Sequence, residues 1–204
     1  MKTVGIIGGS GFIGSFVTQK FLDEGYTVKV SVTDIGNTNK YQHLFQLKNS
    51  DYLTISQLLI EDLEALKIFI EDCELVIHGG TPFQLNFEDA QKELFDPTIQ
   101  GTENFLEAVS ENPNIKKVVL IASVAGWNTN FPLPAANKTA TETFDETDER
   151  FTSNESHPYA QAKFIANQTV LDFIAENPEL FFEITSVSPV MVMGKSLSER
   201  EDST

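Results

Sequence analysis

Gly8-Gly9-Ser10-Gly11-Phe12-Ile13-Gly14, at residues 8–14, follows an apolar run at residues 3–7 and opens a helical pattern that ends at Gly25. A glycine loop between a strand and a helix allows a tight turn and lets the backbone approach a ligand closely. The first helical turn also offers free N–H groups to a pyrophosphate. The run therefore predicts a dinucleotide site whose contact residues are Gly8, Ser10, Gly11, Phe12, Ile13 and Gly14.

Two alternative interpretations of this loop are weaker. The first is a turn that serves only packing, which its position directly after the first strand disfavours. The second is the phosphate loop of a nucleotide hydrolase, which requires a Gly-Lys-Ser or Gly-Lys-Thr continuation that does not follow here.

Beyond the loop, short β-branched runs alternate with longer stretches of helical periodicity, which is typical of βαβ units. The predicted strands cover residues 3–7, 27–32, 52–55, 75–78, 118–122 and 184–188. The predicted helices cover residues 12–24, 60–70, 89–110 and 159–177. Because parallel crossovers are right-handed, we expect an α/β fold with a doubly wound parallel sheet in the order 3-2-1-4-5-6 and ligands at the carboxyl ends of the strands. This Rossmann arrangement would occupy residues 1–204 as one NAD(P)-binding domain.

The bulk composition restricts the possible partners. The 204 residues include 30 acidic and 14 basic side chains, a formal net charge of -16 that repels nucleic acids and anionic lipids. Cys73 is the only cysteine, so neither an intrachain disulfide nor a cysteine-based zinc site can form. The three histidines lack ligand spacing, so no metal site is predicted. No apolar run is long enough for a membrane span, and we expect a cytoplasmic protein without nucleic-acid or membrane partners.

Residues 128–157 interrupt the alternation of strands and helices. The segment is rich in Thr, Asn, Pro and acidic residues and has no periodicity. It is too long for a plain connection, so we interpret it as an acidic surface flap beside the site. A solvated loop without a function is the simpler alternative.

The adenosine end of the cofactor is expected near Asp34, which ends the second strand about 20 residues beyond the glycines. A carboxylate there can bind the ribose hydroxyls and would repel a 2′-phosphate, and Thr33 offers no compensating charge. These two residues favour NAD over NADP. A plain turn acid is the alternative role for Asp34.

Three residues form a candidate catalytic set. Ser123 follows the buried fifth strand, and its hydroxyl could polarise a substrate carbonyl. Tyr159 and Lys163 are four residues apart and share a helix face. We expect the Lys163 ammonium to lower the pKa of Tyr159, which would protonate the developing alkoxide, and to bind the nicotinamide ribose. The alternative is an incidental Tyr–Lys pair on an exposed helix start.

Two neighbouring histidines receive structural interpretations. His157, directly before the helix, is expected to cap the loop, and His78, at the end of the fourth strand, is expected to be buried and hydrogen-bonded. Gly79 and Gly80 follow His78 and would let the backbone approach the cofactor. No Gly-x-Ser-x-Gly elbow surrounds Ser123, which disfavours a serine hydrolase.

These residues together resemble the extended short-chain dehydrogenase/reductase family, within the NAD-dependent epimerase/dehydratase superfamily, and its dihydroflavonol reductase and cinnamoyl-CoA reductase branch. The resemblance covers almost the whole chain and includes Gly8, Gly11 and Gly14, with Ser123, Tyr159 and Lys163 as the catalytic set. The other matching stretches are Asp62-Leu63, His78-Gly-Gly-Thr-Pro82, Pro97-Thr-Ile-Gln-Gly101-Thr102 and Ser188-Pro-Val-Met-Val-Met-Gly194. The resemblance implies adenine contacts at Asp62 and Leu63 and cofactor contacts at Gly79, Gly80, Thr81, Pro189 and Val192.

The resemblance further implies an NAD(P)H-dependent reduction of an aldehyde, ketone or thioester carbonyl of a small to medium organic substrate. The branch usually has an arginine that binds the 2′-phosphate where this chain has Thr33, so the family's leaning to NADP does not transfer directly. Related epimerases often have an asparagine near Thr98, and its absence favours the reductases.

Family members continue into a C-terminal substrate lobe, whereas residues 195–204 form a polar tail where that lobe would begin. We therefore expect most of the lobe to be absent or the substrate wall to come from another subunit, as in a homo-oligomer. Two further hypotheses stay open. They are a nucleotide-sugar epimerase or dehydratase with tightly bound NAD, and a non-catalytic dinucleotide-binding module.

Overall fold

A computed structural model describes residues 2–79, 88–134, 138–139 and 141–198. Six parallel strands form one sheet in the order β3-β2-β1-β4-β5-β6. The strands are β1 (Thr3–Ile7), β2 (Thr27–Val32), β3 (Leu53–Gln57), β4 (Leu75–His78), β5 (Lys117–Ile121) and β6 (Glu183–Val187). The predicted fold class and strand order are confirmed.

Four α-helices connect the strands on the two faces of this sheet. They are α1 (Phe12–Asp23), α2 (Leu63–Ile70), α3 (Asp96–Glu111) and α4 (Pro158–Glu176). A π-helical turn, Gln91–Phe95, precedes α3, and three short 3-10 turns replace a helix between β2 and β3. Alternate residues of the strands pack on α1 on one face and on α2, α3 and α4 on the other.

The α2 helix starts three residues later than its apolar pattern suggested. Asp62 is the N-cap, and its Oδ1 accepts a hydrogen bond from the backbone N–H of Ala65 at 3.0 Å. The carbonyls of Ile60 and Glu61 accept hydrogen bonds from the Asn104 side chain in α3 instead. Ile60 is apolar because it packs against the core from a loop, which the periodicity alone could not distinguish from a helical position.

Cys73 lies fully buried between β1 and α2. Its Sγ would lie 3.0 Å from a Cβ added at Gly5, so the thiol occupies the space that a side chain on β1 would need. Burial raises the pKa of this thiol to about 12. The thiol therefore behaves as a small apolar core group.

Because all six strands are parallel, their carboxyl ends lie along one edge of the sheet. The glycine loop, Asp34, Gly79, Ser123 and Pro189 each follow the end of a strand at this edge. Ligand sites of open α/β sheets lie there, where the strand order reverses between β1 and β4. Residues 8–14 follow β1, directly at this switch point.

Among the residues that the structure describes, no helix combines the length and the hydropathy needed to cross a membrane. Within the same residues, no three His, Cys, Asp or Glu side chains lie close enough to share a metal ion.

Candidate functional site

The glycine loop wraps so tightly that Gly14 cannot carry a side chain. A Cβ added at Gly14 would lie 2.1 Å from the carbonyl oxygen of Gly8, which is well inside contact distance. The Gly8 carbonyl accepts a hydrogen bond from the Gly11 N–H at 3.1 Å, which closes the turn. The start of α1 therefore packs directly on the backbone of the loop, as a dinucleotide-binding turn requires.

Side chains behind the loop hold its peptide groups in place. Thr18 donates its hydroxyl to the Gly9 carbonyl at 3.0 Å, and Ser15 donates to the Gly11 carbonyl at 2.7 Å. Ser31 in β2 accepts from the Gly8 N–H at 3.3 Å. These three hydroxyls approach from the protein interior, so the first turn of α1 keeps its outward N–H groups for an anion.

The two expected adenosine contacts each have a local structural role. Asp34 is exposed, and its Oδ1 accepts a hydrogen bond from the Gly36 N–H at 2.8 Å within a turn. Asp62 caps α2, with Leu63 as the first residue of that helix. A carboxylate offers about four acceptor positions, so one backbone hydrogen bond leaves each group able to bind ribose or adenine. Contacts to a cofactor at Asp34, Asp62 and Leu63 stay predictions.

The three candidate catalytic residues come together where β5 ends and α4 begins. Ser123 follows β5, where its Oγ accepts from the Ala125 N–H at 3.2 Å and hydrogen-bonds the Tyr159 side chain. The Lys163 Nζ lies 5.5 Å from the centroid of the Tyr159 ring. The sequence-predicted trio thus forms one cluster, with Ser123 and Tyr159 in direct contact.

A close approach of α4 to the turn after Ser123 fixes this geometry. Gly126 lies in that turn, and a Cβ there would lie 3.2 Å from the Lys163 carbonyl oxygen and 3.1 Å from the Asn167 Cβ. The Asn167 side chain donates to the Gly126 carbonyl at 3.1 Å. Both distances are shorter than ordinary van der Waals contacts, so a side chain at position 126 would require α4 to shift by a few tenths of an ångström.

The pKa of Tyr159 differs from the expectation. We expected the Lys163 ammonium to lower it, but the pKa of Tyr159 is raised. Burial of the phenol is the larger cause, because the phenolate loses its hydration, and the hydrogen bond with Ser123 lowers the pKa only in part. In this structure Tyr159 is therefore a protonated donor at neutral pH.

Burial shifts the pKa of Lys163 in the opposite direction. Burial lowers the pKa of its amine from 10.5 to about 8. His78 lies near enough for the Lys163 charge to disfavour protonation of the imidazole, and burial lowers the pKa of His78 to about 3. The His78 ring packs on Phe105 in α3, with the ring centroids 4.6 Å apart. His78 is thus a buried, neutral side chain, which confirms the predicted burial, and its predicted hydrogen bond stays a prediction.

His157 is the residue directly before the first residue of α4. Its Nδ1 accepts a hydrogen bond from the Tyr159 N–H at 3.2 Å, so the imidazole is the N-cap of the helix. The predicted capping role is confirmed. The cap holds the first turn of α4, which carries Tyr159.

The segment after β6 lies beside both halves of the site. The Pro189 carbonyl accepts from the Val124 N–H at 3.1 Å, next to Ser123. Val192 lines an open groove of about 520 Å³ together with Phe12 and Ile13 of the glycine loop. This groove runs along α1 as far as Lys20 and Phe21. Contacts of Pro189 and Val192 to a cofactor stay predictions.

Gly79 continues the hydrogen bonding of β4, because its N–H donates to the Ile7 carbonyl at 3.0 Å. The predicted contact residues Gly80 and Thr81 lie outside the described residues.

The described parts of the segment 128–157 are anchored to the domain. Asn128 and Phe151 form an isolated parallel bridge, and Ser156 donates to the Asn130 side chain at 2.7 Å. The Arg150 guanidinium lies 4.9 Å from the Phe164 ring centroid, on the helix that carries Lys163. Five of its six acidic side chains are exposed and Asp148 is half-buried, which fits an acidic surface segment. Its role as a flap over substrate stays a prediction.

The family model described as "NAD dependent epimerase/dehydratase family" matches residues 4–203. The chain belongs to this family. The resemblance predicted from the sequence motifs is confirmed.

Two curated relatives of the epimerase/dehydratase chain belong to the predicted reductase branch. A cinnamoyl-CoA reductase of Medicago truncatula is 30% identical over 96% of this chain and 59% of the relative. A dihydroflavonol 4-reductase of Dianthus caryophyllus is 30% identical over 95% of this chain and 52% of the relative. The chain thus spans less than two thirds of the length of these relatives.

A solved structure confirms the fold of this family member. The yeast methylglyoxal/isovaleraldehyde reductase complexed with NADPH superposes with a TM-score of 0.80 at 24% identity. The match covers 95% of this chain and 59% of the yeast chain.

Sequence reasoning missed several residues that build the epimerase/dehydratase site. Gly126 and Asn167 fix α4, Trp127 donates its indole N–H to Ser188 at 3.1 Å, and His43 contacts Ser15 behind the glycine loop. Gly126 had a usable signal, since a glycine three residues after Ser123 suggests a tight turn. The contacts of Asn167, Trp127 and His43 span 28 to 61 residues and left no local pattern.

Proposed function

We propose that this chain provides the cofactor-binding and catalytic part of an NAD(P)H-dependent oxidoreductase that reduces a carbonyl group. The carrying observation is the hydrogen bond between Ser123 and Tyr159 at the carboxyl edge of the sheet, beside Lys163. The glycine loop lies at the same edge, where a dinucleotide would place its nicotinamide near these side chains.

Each residue of the cluster has a distinct proposed role. Ser123 donates a hydrogen bond to the substrate carbonyl, which polarises the carbon for attack. When bound, the reduced nicotinamide supplies the hydride. Tyr159 then gives its hydroxyl proton to the developing alkoxide, and its raised pKa keeps that proton in place beforehand. Lys163 binds the nicotinamide ribose through its ammonium and offsets the negative charge left on the phenolate.

The names of two relatives support a class of substrate. The cinnamoyl-CoA reductase and the dihydroflavonol 4-reductase are named for a thioester and a ketone of medium size. We propose that this chain acts on an aldehyde, ketone or thioester of similar size.

Two observations favour different cofactors. The exposed Asp34 carboxylate would repel a 2′-phosphate and favours NADH. The yeast reductase of the same fold is complexed with NADPH.

The first experiment measures binding and turnover. The affinities of NADH and NADPH are determined by fluorescence, and oxidation of the reduced nicotinamide is followed against a panel of aldehydes, ketones and thioesters. We expect saturable binding of at least one dinucleotide and turnover of at least one carbonyl. Failure to bind either dinucleotide would contradict the proposal.

Two other functions remain candidates, each with a specific observation. A nucleotide-sugar epimerase or dehydratase uses the same catalytic set, and the family description includes both activities. Stoichiometric NAD released from the purified, denatured protein would favour it. A non-catalytic dinucleotide-binding module would need only the glycine loop, where α1 packs directly on the backbone of Gly8. Cofactor binding without hydride transfer across the whole panel would support the module.

The lowered pKa of Lys163 predicts a pH dependence. Below about pH 8 the amine is protonated and can bind the ribose, whereas above this value it loses the charge. We expect kcat/KM to fall by about tenfold per pH unit above the pKa, as for loss of one essential proton. A profile between about pH 6 and about pH 10 measures this limb.

Lys163→Arg is the matched variant, because the guanidinium stays charged across this range. It should have a lower kcat/KM than the wild type at every pH, but its kcat/KM should not fall further above about pH 8. A wild-type profile that stays flat to about pH 10 would rule out a required Lys163 charge.

A further inference from the structure

A buried histidine lies behind the glycine loop. His43 belongs to the 3-10 turn Gln42–Gln46 between β2 and β3, and only 9% of its surface is exposed. Its Nε2 lies 2.8 Å from the Ser15 Oγ, and Ser15 is 2% exposed. Tyr41 and Leu44, on either side of His43, are buried in the α1 core and hold the turn against the helix.

The hydrogen bonds of Ser15 determine which nitrogen of His43 carries a proton. The Ser15 hydroxyl has one hydrogen, and it donates that hydrogen to the Gly11 carbonyl at 2.7 Å. The same oxygen can then only accept from His43, so the Nε2 of His43 carries the proton. The result is a directed chain of hydrogen bonds from His43 through Ser15 to Gly11.

These hydrogen bonds act on the peptide group that joins Gly11 to Phe12. A trans peptide is planar, and its C=O and N–H point in opposite directions. The backbone N–H of Ser15 also donates to the Gly11 carbonyl, at 2.9 Å. The two hydrogen bonds together hold this carbonyl toward Ser15 and therefore aim the Phe12 N–H away from the protein interior. Gly11 is the N-cap of α1, so the Phe12 N–H is among the first helical amides that an anion would meet.

A packing role alone explains this arrangement less well. A serine in a helix often donates to the carbonyl four residues earlier without any partner, so that bond needs no histidine. Burying a second polar ring against it costs desolvation energy, which an apolar side chain of similar size would avoid. The histidine adds orientation, because a hydroxyl that accepts from His43 has a fixed direction for its own proton.

We propose that His43 is a positioning residue for cofactor binding, which orients the Phe12 N–H toward the pyrophosphate through Ser15 and Gly11. This inference rests on the proposed dinucleotide function. His43 belongs to a segment outside the glycine motif, so it would link the 3-10 turn Gln42–Gln46 to cofactor affinity.

The test measures the dissociation constants of NADH and NADPH for four variants. His43→Leu removes the donor, Ser15→Ala removes the link, His43→Gln keeps an N–H donor, and Gln42→Leu is the control on the exposed neighbour. We expect His43→Leu and Ser15→Ala each to weaken binding by about two- to tenfold, the range for one hydrogen bond. His43→Gln should recover most of the affinity, and Gln42→Leu should match the wild type. In His43→Leu and Ser15→Ala the loss should appear in the KM of the cofactor rather than in kcat, and Gln42→Leu should match the wild type in both constants.

A double variant separates positioning from fold stability. If His43 acts through Ser15, His43→Leu should have no further effect on the dissociation constant when Ser15 is already alanine. Additive losses of affinity, or an unchanged affinity in both single variants, would overturn the inference. If His43→Leu does not fold, Ser15→Ala alone decides, because unchanged binding there breaks the proposed chain. A wild-type protein that binds neither dinucleotide refutes the proposed function itself, which is a distinct result.

Discussion

Tyr159→Phe should abolish carbonyl turnover while leaving cofactor binding intact. The variant lacks the only proton that the phenol could give to the alkoxide, and it also loses the hydrogen bond to Ser123. Removal of a general acid typically costs about 10²- to 10⁴-fold in rate. Steady-state kinetics at saturating cofactor and carbonyl measure kcat, and fluorescence titration measures cofactor affinity.

Tyr52→Phe is a suitable control, because Tyr52 is 46% exposed and precedes β3 at the opposite edge of the sheet. It removes the same hydroxyl and should leave kcat unchanged. Turnover by Tyr159→Phe at the wild-type rate would exclude Tyr159 as the acid and with it the proposed mechanism.

Gly14→Val should prevent dinucleotide binding. Its Cβ would lie 2.1 Å from the Gly8 carbonyl oxygen, which is backbone and cannot rotate away. Relief of the clash requires α1 to move from the loop, so the amides that face the pyrophosphate lose their alignment. Overpacking costs about 1–3 kcal/mol, and a backbone clash belongs at the top of that range, so we expect a loss of affinity of about a hundredfold.

Gly11→Ala is the matched control, because it adds a Cβ to the same loop without a clash. A Cβ at Gly11 lies 3.4 Å from the Gly8 carbonyl oxygen, an ordinary contact. We expect this variant to fold with nearly wild-type stability in thermal unfolding, unlike Gly14→Val. Equal affinity of Gly14→Val and wild type for NADH and NADPH would show that the loop does not contact the cofactor.

The sheet could be predicted because its determinants are local. Strand runs, the glycine loop and right-handed crossovers give the strand order, and β1, β2 and β4 match the predicted bounds. The bounds of β3, β5 and β6 differ from the predicted ones by one or two residues. These strands end where their backbone pairing ends, whereas the predicted bounds followed the apolar residues. The α3 helix was predicted from residue 89, but Gln91–Phe95 is π-helical because hydrophobic spacing does not distinguish the two hydrogen-bond patterns.

The catalytic residues were predictable, but their environment was not. The spacing of Tyr159 and Lys163 indicated a pair on one helix face, and they do lie together. The direction of the Tyr159 pKa depends on how much water the fold removes from the phenol, which only the packing of α4 on the Gly126 turn determines. The role of His43 was missed because its partner Ser15 lies 28 residues earlier in the sequence, before β2.

The buried Cys73 has a consequence for the chemistry of the whole chain. Thiol oxidation and alkylation proceed through the thiolate, and a pKa of about 12 leaves almost none at physiological pH. These 204 residues contain no other cysteine. Peroxide, glutathione and thiol-directed electrophiles therefore find no reactive sulfhydryl in these 204 residues, and their thiol chemistry is the same in oxidising and reducing surroundings.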